Sequence, residues 1–199
     1  MVVGVLGASG YVGGRLVAHL LARGHRVRAL GRSLEKLRCR SFAADPSLEL
    51  RRADALDPEG LERALQGCST VVSLLRSPGS GLTRTAPLDL QAARHLAQAA
   101  ERAGVTRLIH LSGPGPEQGS CFGSTLKNGP VPLIWLKAGI ILAAGSAWFE
   151  IIRHLAERLP VLIAPRWMRT RSRPIAIRDV LSALTACVEE ETSRGLTAD

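Results

Sequence analysis

Short apolar runs alternate with amphipathic stretches along the whole of this chain, which has 199 residues. Brief apolar runs bounded by turn residues predict buried strands, and apolar positions at helical spacing predict helices. The predicted strands cover 2–6, 26–30, 48–51, 70–75, 106–111, 131–136 and 161–163. The predicted helices cover 11–23, 33–38, 57–65, 87–103, 146–158 and 177–190, with room for a further short helix within 120–127.

This alternation predicts the fold class. Strands that alternate with helices form a parallel sheet with helices on both faces, and the crossovers between such strands are right-handed. We therefore expect an α/β fold with a doubly wound parallel sheet, a Rossmann fold of six to seven strands. The length suits a single domain over residues 1–199, in which a small C-terminal segment, about 146–199, closes a substrate cleft.

Several helix ends are marked in the sequence. Ser33 and Asp57 stand where N-caps are expected, and Pro58 follows Asp57 at the first helical position. Gly104 is expected to end the helix over 87–103. Asp179 is expected to cap or brace the last helix.

A glycine-rich turn joins the first strand to the first helix. It reads GASGYVGG over residues 7–14, so glycines stand at 7, 10 and 13. Such a turn reverses tightly, lets the backbone approach a pyrophosphate, and aims the N-terminus of the next helix at it. The turn predicts dinucleotide binding, and the alternative is a tight connection without a ligand. The residues expected to contact the dinucleotide here are Gly7, Ser9, Gly10, Tyr11, Val12 and Gly13.

The spacing GxxGxxG, rather than GxGxxG, leads to a resemblance. The chain resembles the atypical and extended short-chain dehydrogenase/reductases, in particular the NmrA-like, NAD(P)-binding family. The similarity covers nearly the whole length. It rests on GASGYVGG at 7–14, ALGRS at 29–33, RADALDPEGLERALQGCSTVVSLL at 52–75, VTRLIHLSG at 105–113, LKAGIILAAGSAWFE at 136–150 and PIAIRDVLSAL at 174–184.

The residue after the second strand bears on the choice of cofactor. Arg32 stands where NAD-specific folds carry an acidic residue for the ribose hydroxyls. A guanidinium at this point can bind the 2′-phosphate of NADP in a bidentate manner, and Ser33 can add a hydroxyl donor. The sequence thus predicts NADP(H) in preference to NAD(H). An ordinary solvated arginine is the alternative.

The resemblance implies further cofactor contacts where the third, fourth and sixth strands end. Asp54 would accept a hydrogen bond from the adenine amine, or it caps the next turn instead. Arg76 would contact a phosphate or crowd the site. The backbone at Gly139 would bind the nicotinamide carboxamide, or this stretch is a connection without ligand contact. These further contacts are Asp54, Ala55, Leu74, Leu75, Arg76, Gly139 and Ile140.

Hydride-transferring members of the resembled family use a serine, a tyrosine and a lysine four residues after the tyrosine. Ser112 matches the serine, but the only tyrosine of the chain is Tyr11, in the glycine turn. Phe122 is the nearest aromatic residue, and Lys127 follows it by five positions rather than four. Standard tyrosine–lysine chemistry is therefore not expected. Ser112 stays a weak catalytic candidate, better suited to hydrogen bonding with the nicotinamide or a ligand.

Other reactive side chains suggest no known catalytic set. His110 lies within a predicted strand, where a core histidine is the expected reading, and the helical His95 and His154 are expected to face solvent. Cys121 has no base beside it in the sequence, so an activated thiol is not expected. The four cysteines form no CxxC pair and no cluster with histidine, which predicts free thiols and no metal site.

The charge of the chain does not change the prediction of a dinucleotide-binding fold. The net charge is +9, and all but three of the 26 basic residues are arginines. They are scattered and not interleaved with aromatic residues, so nucleic-acid binding is not expected. The densest group, Arg166, Arg169, Arg171 and Arg173, either receives an acidic partner or anionic substrate, or is a solvated connection.

Hydropathy predicts no membrane span, because the most apolar stretch, 131–145, contains Lys137 and is too short. We expect a cytoplasmic protein, with the helix over 146–158 able to bury its apolar face in a homodimer.

Three functions remain open on the sequence. The first is an NADP(H)-dependent oxidoreductase of a small molecule, with an unusual proton donor. The second is a non-catalytic NADP(H)-binding redox sensor or assembly factor. The third is a basic scaffold whose glycine turn is vestigial.

Overall fold

The computed structural model describes residues 1–75, 86–113, 121–142, 150, 153–154, 157–158, 174–190 and 197–198. Nine strands lie within them: β1 Val2–Leu6, β2 Arg26–Gly31, β3 Leu48–Arg52, β4 Thr70–Ser73, β5 Arg107–Ser112, β6 Leu133–Lys137, β7 Ile141–Leu142, β8 Ile175–Ala176 and β9 Thr197–Ala198. The main helices are α1 Tyr11–Ala22, α2 Leu34–Arg38, α3 Pro58–Leu65, α4 Ala86–Arg102, α5 Cys121–Lys127 and α6 Ile177–Glu189. Residues 150, 153–154 and 157–158 are also helical, within the helix predicted over 146–158.

One parallel sheet carries the fold. Its strand order is β3-β2-β1-β4-β5-β6-β9, with every described pairing parallel. This is the doubly wound Rossmann order, in which the direction of winding reverses between β1 and β4. The predicted fold class is confirmed. The strand predicted over 161–163 lies outside the described residues.

Three short strands were not predicted. β7 and β8 pair with each other in a separate parallel ribbon, and β9 adds to the edge of the main sheet beside β6. Each has only two residues. The alternation of apolar and polar residues that predicts a strand needs about four residues to be recognised, so strands of two residues could not be predicted from it.

The core lies in two layers, one on each face of the sheet. One layer packs α3, α4 and α5 against side chains such as Leu6, Leu108 and Trp135. The other packs α1, α2 and α6 against the alternate residues of the same strands, such as Val5 and Ile109. Both faces are apolar and covered, which explains why the strands read as continuous apolar runs in the sequence.

The helix ends show which local signals were right. The Ser33 side chain accepts a hydrogen bond from the Lys36 amide, and Asp57 accepts one from the Gly60 amide, so both predicted N-caps are confirmed. Of the two roles expected for Asp179, to cap or to brace the last helix, the cap is wrong. Ala176 is the N-cap of α6 and offers no side-chain hydrogen bond, while Asp179 lies exposed in the first turn. There its carboxylate can only favour the positive end of the helix dipole.

Within the part of the chain that the structure describes, no helix combines the length and the apolar character needed to cross a membrane.

Candidate functional site

The glycine turn lies at the carboxyl end of β1, in the middle of the sheet. Gly7 has a φ of +93°, a left-handed backbone conformation that suits glycine. The amides of Gly7 and Ala8 both donate to the Leu30 carbonyl, at 3.0 and 3.1 Å, and the Gly10 amide donates to the Gly7 carbonyl at 3.0 Å. These backbone hydrogen bonds tie the turn to the end of β2.

Gly13 shows how closely α1 passes over this turn. A Cβ on Gly13 would lie 2.8 Å from Ala8 Cα and 2.9 Å from the Gly7 carbonyl carbon, inside van der Waals contact. A Cβ on Gly10 would lie 3.2 Å from the Gly7 oxygen. Only glycine lets helix and turn approach in this way, as the sequence predicted for residue 13.

The start of α1 is open to an anion. Its N-cap, Gly10, makes no side-chain cap hydrogen bond, and no acidic residue lies in the first turn. The Arg15 guanidinium lies over the Tyr11 ring, 3.9 Å from its centroid, and adds positive charge to this end of the helix. The backbone amides of a first helical turn and the positive end of the helix dipole are what binds a dinucleotide pyrophosphate in such folds. The residues present fit such a cofactor.

Two arginines lie near this turn, and the sequence analysis found only one. Arg32 directly follows β2 and is exposed, as expected. Arg40, in the turn after α2, donates from its guanidinium to the Ser9 carbonyl inside the glycine turn. It follows no strand and belongs to no motif, so nothing in the sequence separated it from the other arginines.

The predicted adenine contacts sit in a turn after β3. Asp54 Oδ1 accepts from the Leu56 amide at 3.1 Å, which is the turn-capping alternative left open by the sequence. The Ala55 carbonyl lies 3.0 Å from His95 Nδ1 on α4 and holds that half-buried imidazole, which was expected to face solvent. The Asp54 contact with adenine remains a prediction.

The end of β4 comes next to the glycine turn. The Leu74 amide donates to the Leu6 carbonyl at 2.9 Å, and a Cβ on Gly7 would lie 3.4 Å from the Leu74 backbone. Leu74 and Leu75 are half-buried. The structure thus brings the β4 end and the turn together, as a site across these strand ends requires. Arg76 lies outside the described residues.

The Ser112 hydroxyl is already engaged within the protein. Trp135 Nε1 donates to Ser112 Oγ at 2.9 Å, and Ser112 Oγ donates to the Gly113 carbonyl at 3.2 Å. A hydroxyl has one proton to donate, so in this arrangement one acceptor site remains for a ligand. Ser112 can therefore accept from a nicotinamide amide, whereas donating to a substrate would break the bond to Gly113.

The helix that would carry a catalytic tyrosine is used for packing instead. Phe122 on α5 is buried and lies against the His110 ring, with centroids 5.0 Å apart. A Cβ on Gly123 would lie 2.7 Å from Trp135 Cη2, so the indole fills the space beside α5. Aromatic rings thus occupy this face of the sheet next to Ser112.

Lys127 lies at the wrong end of the sheet for the family's lysine. It ends α5 and lines a cavity of about 350 Å³ together with residues 129–133, which lead into the amino end of β6. Ser112, in contrast, ends β5 at the carboxyl edge of the sheet. Five residues of β6 separate these two edges.

His110 is a core residue, as predicted. It is 2% exposed, and its Nδ1 lies 3.2 Å from the Ser73 carbonyl, so that nitrogen carries the proton and donates it. Burial lowers the pKa of His110 to about 4, and the hydrogen bond to Ser73 opposes this only in part. The imidazole is therefore neutral at physiological pH and shielded from solvent.

The stretch after β6 has a structural role that competes with cofactor binding. The Ala138 amide donates to the Ser112 carbonyl at 3.0 Å, and the Ile140 carbonyl accepts from the Ile175 amide at 3.0 Å as β7 and β8 begin to pair. Gly139 and Ile140 are half-buried between these two anchors. Their contact with a carboxamide remains a prediction.

The cysteines and the possible metal ligands of the described residues form no further site. Cys39 is exposed, Cys68 buried and Cys187 half-buried, all as free thiols, and burial raises the pKa of the last two. Among these residues no cluster of histidine, cysteine, aspartate or glutamate could hold a metal ion. The Cys121 side chain and the arginines at 166–173 lie outside the described residues.

Two curated relatives show the range of functions near this chain. A 3-diazoavenalumate denitrifying reductase from a Streptomyces species is 36% identical over 77% of this chain and 48% of its own. The photosystem II assembly factor Ycf39 of Trieres chinensis is 29% identical over 68% of this chain and 39% of its own. The chain spans less than half of the length of the curated relatives it matches.

Two solved structures share the fold. The Bordetella bronchiseptica enzyme WbmG in complex with NAD has a TM-score of 0.77 and 18% identity, covering 100% of this chain and 72% of that one. The Citrobacter triphenylmethane reductase complexed with NADP(H) has a TM-score of 0.73 and 21% identity, covering 99% of this chain and 68% of that one. Proteins of this fold thus bind either dinucleotide.

A family model brings these similarities together. The model described as NAD(P)H-binding matches residues 7–131, more than half of the chain, from the glycine turn to the approach to β6. The matched region contains the turn, the start of α1 and the ends of β2 to β5, but not the end of β6. The chain belongs to this NAD(P)H-binding family.

Proposed function

We propose that this protein is an NADP(H)-dependent oxidoreductase that acts on a small molecule without a catalytic tyrosine. The observation that carries the proposal is the glycine turn. The uncapped start of α1 offers backbone amides and a positive dipole end to an anion, and Arg40 reaches the same turn from the residues after α2. NADPH would supply a hydride to the substrate, and the chain would position both molecules.

The preference for NADP(H) rests on two guanidinium groups. The 2′-phosphate of NADP is bound near the end of the second strand in Rossmann folds, where NAD-specific proteins carry a carboxylate. Arg32 occupies that position and is exposed, and it makes no hydrogen bond or ion pair to the described residues. Arg40 adds a second charge against Ser9. Two arginines favour a doubly charged phosphate over two ribose hydroxyls.

Titration of the protein with NADPH and NADH, followed by cofactor fluorescence, tests this proposal. Arg32→Ala should weaken NADPH binding roughly tenfold, the effect of losing one charge-assisted hydrogen bond, and leave NADH binding unchanged. Arg40→Ala should weaken NADPH binding more than NADH binding, because Arg40 also holds the glycine turn at Ser9. Arg63→Ala is the matched control, because Arg63 is an exposed arginine on α3 that pairs with Glu59. Its NADPH affinity should equal that of the wild type.

The outcomes separate three conclusions. Equal affinity for both cofactors, unaffected by either substitution, would remove the NADP preference and leave dinucleotide binding. Binding of neither cofactor would overturn the proposal and favour the basic-scaffold function. Tight NADPH binding without turnover of any carbonyl or ene substrate would favour a second candidate.

That second candidate is a non-catalytic NADP(H)-binding sensor or assembly factor. It is favoured by the buried Phe122 and Trp135, which fill the region beside Ser112, and by the similarity to an assembly factor. A sensor should bind a partner with an affinity that changes between NADP⁺ and NADPH. A cytoplasmic location and a homodimer also stay predictions, and a monomeric mass by light scattering at micromolar concentration would contradict the dimer.

A further inference from the structure

Ser112 and Lys137 lie side by side at the carboxyl edge of the sheet. They end β5 and β6 and are register partners in this parallel pair. Their neighbours Leu111 and Leu136 pack into the layer of α1 and α6. Because side chains alternate between the faces of a strand, Ser112 and Lys137 both project on the opposite face, the side of α5.

Trp135 connects these two side chains. Its Nε1 donates to Ser112 Oγ at 2.9 Å, and the Lys137 Nζ lies over the indole, 5.1 Å from the ring centroid. Trp135 is 1% exposed and fits against α5 because Gly123 has no Cβ. The indole is therefore a rigid platform that orients the Ser112 hydroxyl and attracts the Lys137 ammonium by a cation–π interaction.

Of the three lysines in the chain, Lys137 is the one that lies beside Ser112. The chain has two others, and Lys36 lies in α2 on the far side of the domain from β6. Lys127 lies at the amino end of β6, one strand length away. A strand of five residues is about 16 Å long, which places Lys127 toward the end of β6 opposite Ser112, although Trp135 also lines the cavity beside Lys127.

From this arrangement we propose that Lys137 binds and protonates the oxygen of a carbonyl substrate, with Trp135 as the positioning residue. The inference rests on the proposed function. When a carbonyl is reduced, the hydride pair forms a C–H bond at its carbon, and the π pair moves to its oxygen. The Lys137 ammonium stabilises that oxygen and transfers a proton to it, and the neutral amine regains a proton from water.

The same geometry defines the substrate class. The Ser112 proton is committed to the Gly113 carbonyl, so Ser112 cannot be the proton donor. An ammonium aids only a reaction in which a heteroatom gains negative charge. The site therefore suits an aldehyde, a ketone or an enone whose carbonyl oxygen takes up charge, and it offers nothing to an isolated alkene.

Because the chain has only three lysines, NMR can observe each of them. Protein labelled with ¹³C-lysine should give three Cε signals, assigned with Lys36→Arg, Lys127→Arg and Lys137→Arg. Addition of NADP⁺ should shift the Lys137 signal and leave the Lys127 signal in place. An unchanged Lys137 signal in protein that binds NADP⁺ would overturn the inference and leave the proposed function standing.

A kinetic arm uses NADPH oxidation with a panel of aldehydes, ketones and enones. Lys137→Met should lower kcat about 100-fold, the cost of losing one oxyanion donor, with an unchanged NADPH Kd. Lys137→Arg should retain more activity than Lys137→Met, because it keeps a charged donor, and Lys127→Met is the matched control with wild-type rates. Trp135→Phe should lower kcat more than it raises KM.

The kinetic results test the role of Lys137 and the proposed oxidoreductase function separately. Wild-type turnover by Lys137→Met would overturn the role of Lys137 alone, whereas NADPH binding with no reduction of any panel member would overturn both that role and the oxidoreductase proposal. If the wild type binds no dinucleotide at all, the proposed function itself is overturned.

Discussion

The glycine turn and the β5–α5–β6 region lie along the same edge of one sheet, yet they use different parts of the chain. In the turn, the important groups are backbone amides and carbonyls, shaped by Gly7 and Gly13. In the second region, the important groups are the side chains of Ser112, Trp135 and Lys137. A binding site made of backbone groups needs glycines that let the chain turn tightly. A site that transfers protons or stabilises charge needs specific side-chain atoms in a specific geometry.

This difference explains why the glycine turn is easier to identify from the sequence than the β5–α5–β6 region. A glycine pattern survives almost any change around it, because nothing else can replace glycine where a Cβ would meet backbone. The side-chain half allows more than one arrangement, because a cation from another strand can reach the same space. In this chain α5 packs the buried Phe122 against His110, and a lysine from β6 lies beside the serine.

The largest expected effect comes from closing the glycine turn. Gly13→Ala would place a methyl group against rigid backbone at Ala8 and Gly7, so the free energy of unfolding should fall by about 3 kcal/mol. NADPH binding should be lost. Gly14→Ala is the matched control, because its Cβ would lie 3.6 Å from the nearest atom, an ordinary contact. Urea denaturation and NADPH titration of both variants measure this, and equal behaviour would contradict it.

A pH effect should distinguish the buried β5 region from the open turn. The pKa of His110 falls from 6.5 to about 4 on burial, so the unfolded chain binds this proton more tightly. Stability that is fully present above pH 6.5 should be lost as the pH falls toward 4, by about 2 to 3 kcal/mol. His110→Gln should remove this part of the pH dependence, and His154→Gln, at an exposed position, should not.

Those unfolding free energies are measured by urea denaturation between pH 7 and pH 4, and the variant curves are subtracted from that of the wild type. A difference curve for His110→Gln that is flat over this range would contradict the buried, neutral state of the imidazole.

A third prediction concerns the packing of α5 on β6. Gly123→Ala would drive a methyl group into the Trp135 indole and lower the free energy of unfolding by about 2 kcal/mol. Adding Trp135→Phe should make room and recover part of this loss. A double-mutant cycle by urea denaturation should give a coupling above roughly 0.5 kcal/mol. Additive effects would mean that the indole does not depend on Gly123 for its place beside Ser112.

The smallest effect concerns the cap of α2. Ser33→Ala should cost about 1 kcal/mol of stability, since the side chain accepts from the Lys36 amide. Asp57→Ala removes a similar cap from α3 and should cost as much. If Ser33 also donates to the 2′-phosphate, only Ser33→Ala should weaken NADPH binding. An unchanged Kd in both variants would leave Ser33 as a cap alone.

Much of the fold could be predicted because its signals are local. The first strand, the two N-caps and the glycine turn were placed correctly from the sequence. Each depends on residues within a few positions of one another, where conformational preference and hydrogen-bond geometry act directly. Asp179 does not cap α6 because the helix begins at Ile177, directly after β8 pairs with β7, a contact between distant parts of the chain.

The sequence by itself determined the class of fold, the dinucleotide turn and the lack of a matching tyrosine. Only the tertiary structure decided that Arg40 reaches Ser9, that Trp135 holds Ser112, and that Lys137 rather than Lys127 lies at the carboxyl edge. The physical reason is that strand order and side-chain packing bring together residues far apart in sequence. No local pattern records which of several arginines or lysines will arrive at a given place.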